Sequence, residues 1–319
     1  MLEQLGSIKS EKGFTLLTLA MGLGIVAILG GAITIATIQM FRGASYNQVA
    51  LAPSAGQFKQ AGEKIGTARV QIEGNPIRMT TQTVKFAIVS TNGSVTVGGN
   101  AQVTSDPSLI TRGGIYAAGN VIVSGSASVQ ADVTATGTIS GLEHITGVPR
   151  AGYAPGLVFF SDAEITTMVQ QYRTEAQAGG TYNGDYSVNN DQNLGPLYIN
   201  GDIKATKGDI TLTGTVYVTG AVNINGQATF SGSGTIVAVG DIDLRGKGTF
   251  TPDPGHTPII FSTNGDITCK GNSGVEKAPG VLYAPRGDIA LGGNTSLYGS
   301  AMARTVSSTG SSVIYPFAQ

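Results

Sequence analysis

The tripeptide Gly-Asp-Ile recurs five times in this chain, at Gly201-Asp202-Ile203, Gly208-Asp209-Ile210, Gly240-Asp241-Ile242, Gly265-Asp266-Ile267 and Gly287-Asp288-Ile289. The last three copies begin 25 and 22 residues apart, a period that suits one coil of a solenoid. Each copy reads as a strand entered through a tight turn: Gly permits an unusual backbone at a corner, Asp caps the turn, and Ile starts an inward-facing strand. Between the copies, Thr215-Val216-Tyr217-Val218-Thr219 and Ala221-Val222-Asn223-Ile224 alternate with period two, the mark of strands with one buried face. The same texture begins at Thr83, in Val84-Lys85-Phe86-Ala87-Ile88, Ser94-Val95-Thr96-Val97, Asn120-Val121-Ile122-Val123 and Ser128-Val129-Gln130-Ala131-Asp132-Val133. Coils of this kind stack, each burying its apolar face on the next. The predicted fold is therefore mainly β, a Gly-rich parallel β-helix in two parts, 83–140 and 196–319.

The stretch 141–195 interrupts the pattern. Ser161-Asp162-Ala163-Glu164 has the form of a capping box, and Ile165, Met168, Val169 and Tyr172 follow at helical spacing. One amphipathic helix is expected there, running to about Ala178 before Gly179-Gly180 and packed on the strand domain. Its Met and aromatic stripe reads as core.

Ahead of the strands lies a different segment. From Phe14 to Phe41 the chain runs 28 residues without a charge, longer than the roughly 20 that cross a bilayer as a helix. The reading is a hydrophobic helix over 14–53, ended by Pro53, with a leader at 1–13 before it and a neck at 54–82 after it. Gly22, Gly24, Gly30 and Gly31 give this helix small faces suited to close helix packing.

Chemistry is sparse. The formal net charge is -1, and no run of Lys or Arg offers the repeated phosphate contacts of a nucleic-acid binder. Charged residues are 12% of the chain, about half the usual share, so the polar surface rests on Ser, Thr, Asn and Gln, as suits an extracellular protein. Cys269 stands alone, which excludes an intrachain disulfide and a Cys-based metal cluster. His144 and His256 have no clustered partners and read as loop residues. No nucleophile, metalloprotease or phosphate-loop motif is present, which points away from an enzyme. Asp209, Asp241, Asp266 and Asp288 leave three readings open: turn caps, the simplest; ligands of a Ca²⁺ ion, the one cofactor the residues suggest; or an acid and base acting on polysaccharide.

The junction Gly13-Phe14-Thr15-Leu16-Leu17, behind Ser10-Glu11-Lys12, resembles the processing site of type IV prepilins and type II secretion pseudopilins. The resemblance implies that a prepilin peptidase cuts between Gly13 and Phe14 and methylates the new amine of Phe14. Precursor in the inner membrane, then an extracellular filament built with other pilin subunits on an assembly platform, would be the two locations. Thr18 stands where the family has a Glu that neutralises a neighbouring subunit's N-terminus, which implies a minor or tip subunit. The Gly-rich half resembles parallel β-helix domains of bactofilin-like polymers and pilus-associated proteins, implying a head for adhesion or scaffolding with a surface or polysaccharide ligand. The alternatives are an uncleaved signal-anchored surface protein and a membrane-tethered carbohydrate-active enzyme.

Overall fold

The computed structural model describes residues 70–72, 77–79, 86–104, 114–154, 159–253, 256 and 259–316. The leader, the hydrophobic helix expected over 14–53 and the junction residues Gly13, Phe14 and Thr18 lie outside the described residues. The chain divides into two compact units, and the second, Glu63–Gln71 with Asn75–Gln319, carries the fold that follows. It is a parallel β-solenoid of about nine turns with one α-helix.

One coil shows the plan. Val216–Val218 lies on a first face, Val222–Ile224 on a second and Thr229–Gly232 on a third. Each pairs in parallel with the equivalent strand 20 residues on: Val216 with Ile236, Val222 with Ile242, Phe230 with Phe250. Stacking places like residues above one another in the lumen. Ile203, Val222, Ile242, Ile267, Ile289, Val306, Val95 and Val121 form one buried column. Ile210, Phe230, Phe250, Val275, Leu297, Ile314 and Val103 form another. Each fully buried side chain of this size is worth about 1.5–3 kcal/mol, so the lumen is the main source of cohesion.

The order of coils in space is not their order in sequence. The stack starts at Thr181–Asn183, climbs to the coil that ends at Val313–Tyr315, and continues with the coil of Ile88–Ser90, whose residues come far earlier in the chain. Across this seam Ala301 pairs with Ile88, Val306 with Val95 and Ile314 with Val103. The stack then runs up to Pro149–Arg150. A chain read strictly from 83 to 319 suggests one stack interrupted by an insertion; here the stretch 151–180 instead carries the chain from one end of the solenoid to the other. Regular strands also reach into the predicted interruption, at Pro149–Arg150 and over Thr181–Leu194.

The helix α1 (Asp162–Ala178) lies within that return segment. Its capping box forms as the sequence predicts: the Ser161 hydroxyl accepts from the Glu164 N–H at 3.3 Å, and the Ser161 N–H donates to the Glu164 carboxylate at 2.8 Å. Ile165, Met168, Tyr172 and Ala176 are buried. They rest on the outward column of the first face, Tyr198, Tyr217, Val237, Phe261, Tyr283, Met302, Val89 and Tyr116, which is buried along its whole length. Tyr172 meets Phe261 edge-on at 6.4 Å, Phe160 meets Tyr283 at 6.0 Å, and Phe159 meets Tyr116 at 5.8 Å. A 17-residue helix is about 25 Å long, matching about five coils at roughly 4.8 Å each.

Candidate functional site

The Gly-Asp-Ile aspartates stand at corners of the coil, most of them at the one between the first and second faces. Four of the five copies share this corner, because Ile203, Ile242, Ile267 and Ile289 occupy one lumen column. Asp209 does not join them. Its Ile210 belongs to the third-face column, so Asp209 sits at the opposite corner, where its N–H donates to Asp191 at 2.9 Å and its carboxylate accepts from the Thr229 hydroxyl. Of the four candidates Asp209, Asp241, Asp266 and Asp288, the structure thus brings together three.

What the shared corner does is visible in its hydrogen bonds. Asp266 N–H donates to the Asp241 carboxylate at 2.9 Å, and Asp288 N–H to the Asp266 carboxylate at 2.8 Å. Lower in the stack Asp185 accepts from Asp202 N–H at 3.1 Å, and Asp202 from Ala221 N–H at 2.9 Å. Higher up, Asn120 accepts from Thr138 N–H at 2.8 Å. Each carboxylate therefore caps a backbone donor of the next coil, where the sequence reading had it capping its own turn. The reason lies in the corner: the strand ladder is interrupted there, and a bare N–H needs an acceptor.

The corner glycines also act differently from expectation. Gly208 does adopt the left-handed region, at φ +101°. The glycines of the shared corner, Gly201, Gly240, Gly265 and Gly287, do not; a Cβ would run into the coil below at Gly201, Gly265 and Gly287, against Gly184, Asp241 and Gly265 respectively, and would be a tight fit at Gly240, 3.1 Å from the Gly220 carbonyl oxygen. Space rather than backbone freedom requires Gly at this corner.

Electrostatics follow the same geometry. Arg304 grips the Asp288 carboxylate with two bonds of 3.1 Å, which holds its pKa below the usual carboxylate value. Lys204 reaches Asp185 at 2.7 Å and lowers that pKa likewise. Arg286 bonds Asn264 at 2.9 Å and Asp162 of α1 at 3.1 Å, tying the helix start to the corner. The cations and the donated N–H groups offset the repulsion expected of stacked carboxylates. Among the described residues no three of His, Cys, Asp and Glu are grouped as a metal ion would require. The column thus has a structural task at every level where its partners are described.

Asp202 stands in one of the five tripeptides without being among the four candidates, and Asp185 and Asn120 are corner residues outside all five. A looser signal finds them: Gly, then a side chain with an acceptor, then an apolar strand residue, as in Gly119-Asn120-Val121 and Gly184-Asp185-Tyr186. Cys269 is buried in the lumen, and burial pushes its thiol pKa up to about 12, so it is inert as a nucleophile. His144 lies in a short 3₁₀ turn beside Glu143, and His256 in the turn after Asp253.

A family described as a domain of unknown function (DUF7305) matches residues 159–316. The match begins just before the cap of α1 and ends at the seam, so it takes in the return helix and the coils from Thr181 onward but not the coils of 86–150. No curated protein and no solved structure matches the chain. Among the described residues no helix is long and apolar enough to cross a membrane.

Proposed function

We propose that the chain is a structural subunit of a type IV pilus or related secretion filament, minor or tip-located, that displays its solenoid outside the cell for adhesion or scaffolding. The observation that carries this reading is the junction Gly13-Phe14, at which a run of 28 uncharged residues begins with Phe14. A helix of that length and composition is at home in lipid and in a filament core alike, so moving between them costs little hydrophobic free energy. Thr18 fits a position with no subunit above to neutralise. The solenoid adds support of a general kind: its described side chains form caps, ladders and lumen, with its acidic column engaged in holding coils together.

The experiment is N-terminal sequencing and mass spectrometry of the chain from sheared surface filaments. The expected product starts at N-methylated Phe14, and Gly13→Glu leaves the precursor uncut. A chain that keeps Met1 would rule the reading out in favour of an uncleaved signal-anchored surface protein, and processing that proceeds unchanged in the variant would rule out the prepilin-type cut.

A further inference from the structure

Five Asn-Gly dipeptides stand in the chain: Asn92-Gly93, Asn183-Gly184, Asn200-Gly201, Asn225-Gly226 and Asn264-Gly265. Asn followed by Gly is prone to lose its side-chain amide, because no Cβ keeps the glycine nitrogen away from the asparagine Cγ. Attack needs two freedoms: the Gly N–H must be released from any acceptor so that it can shed its proton, and the Asn amide must be able to turn toward it. The fold distributes these freedoms unequally. Four of the dipeptides lie at the corner between the first and second faces, and each is tied. Gly93 N–H donates to the Ser90 hydroxyl at 3.1 Å, Gly265 N–H to the Ser262 hydroxyl at 2.9 Å, and Gly184 N–H to the Asn200 carbonyl at 3.0 Å. The Asn264 side chain also accepts from Arg286 at 2.9 Å. Asn200 is held through its side chain, whose amide donates to Asn183 at 3.4 Å and whose oxygen accepts from the Thr219 hydroxyl at 3.3 Å.

Asn225-Gly226 differs from all four. It stands at the corner between the second and third faces, where both residues are exposed. Among the described residues neither the Asn225 side chain nor the Gly226 N–H has a hydrogen-bond partner. The main chain around them is engaged: Asn225 N–H donates to the Ala205 carbonyl at 2.8 Å, and the Gly226 carbonyl accepts from Lys247 N–H at 2.9 Å. Gly226 itself lies in the left-handed region at φ +68°. Arg245 and Lys247 occupy the equivalent corner of the next coil, about 4.8 Å along the stack. Their positive charge favours the negative charge that develops on the attacking nitrogen and the attacked amide.

We infer that Asn225 is a modification site, where the folded chain converts asparagine to aspartate and isoaspartate without an enzyme. The Gly226 nitrogen gives its proton to water or hydroxide and bonds to Asn225 Cγ; the Cγ–Nδ2 bond breaks and ammonia leaves, closing a five-membered imide. Water then opens the ring. Addition at Cγ yields aspartate, whereas addition at the α-carbonyl breaks the original peptide link and leaves the chain running through Cγ as isoaspartate. The net change is one water consumed, one ammonia released and one carboxylate gained. Isoaspartate also lengthens the main chain by one carbon between the bond to Ala205 below and the bond from Lys247 above, which loosens the stack at that corner. The inference goes beyond the filament reading and stands or falls without it.

The test incubates the full-length chain, purified in detergent, in mildly alkaline buffer. Peptide mapping by mass spectrometry follows conversion at each Asn, and electron-transfer fragmentation separates the two acids. An engaged N–H of ordinary net strength should slow the attack about fivefold, and a held side chain slows it further. The expected result is conversion at Asn225 roughly tenfold faster than at any of the other four, a lead that disappears in strong urea. Ser262→Ala removes the acceptor of Gly265 N–H, and Arg286→Ala frees the Asn264 side chain; melting curves show which variants are folded. Each folded variant should raise conversion at Asn264 severalfold and leave Asn225 unchanged. Conversion at Asn225 no faster than elsewhere, an equal lead for Asn225 in urea, or an unmoved Asn264 in the folded variants would each overturn the assignment.

Discussion

The first and third faces of the solenoid are made from the same coils yet end in different states. Ile259–Ser262 on the first face is buried at every position, whereas Thr229–Gly232 on the third alternates between buried and half-exposed. The backbone ladder is common to both, so the outward residue alone decides. Where an unbroken column of Tyr, Phe, Met and Val faces outward the face is covered by a helix; where Thr and Ser predominate, with Tyr298 and Tyr315 at one end, it stays open to solvent. A solenoid strand is therefore two sequence decisions, one for the lumen and one for whatever lies outside.

The strongest way to break this comparison is Phe261→Ala, which removes a fully buried ring between α1 and the first face. A loss of about 3–5 kcal/mol is expected in chemical denaturation; a loss near zero would mean that the helix is only loosely seated and that the two faces are alike. A smaller effect sharpens the same contrast. Ser161→Ala deletes the helix cap and should cost about 1 kcal/mol, seen as faster amide exchange in the first turn of α1 with the lumen strands unaffected. Smallest is Arg304→Gln at the exposed corner. Because Arg304 holds the folded-state pKa of Asp288 below its unfolded value, the pair contributes above the unfolded pKa and is lost as pH falls through the folded one. Solvent screening keeps the contribution small. The melting points of wild type and variant should therefore differ slightly at neutral pH and converge in acid below about pH 4; a gap that widens in acid would contradict the assignment.

The coil architecture was legible because a turn must be written locally: Gly for clearance, an acceptor for the next coil's N–H, an apolar strand residue for the lumen. The helix was legible for the same reason, since Ser161 and Glu164 lie three residues apart. What the repeat does not encode is which corner a given copy occupies. Gly208-Asp209-Ile210 reads like its sisters, but its glycine answers a backbone demand in addition to the steric one that they share. Nor does it encode which coil stacks on which, since one parallel strand edge resembles another. Ala301 meeting Ile88 is a tertiary choice made possible by the return of the chain through 151–180. Gly13, Phe14 and Thr18 lie outside the described residues, so the candidate site that structure and sequence share is the corner column.

The seam between Ala301 and Ile88 also sets a timetable. A ribosome makes the coil of Ile88 early and its lower neighbour last; the Ser300 hydroxyl that donates to the Phe86 carbonyl at 2.8 Å is separated from it by 214 residues. Until synthesis is nearly complete, the early coils must persist with an open strand edge, the feature that most invites pairing with another chain. Contacts of such long separation form slowly. The last coil to be delivered is the one that seals the first.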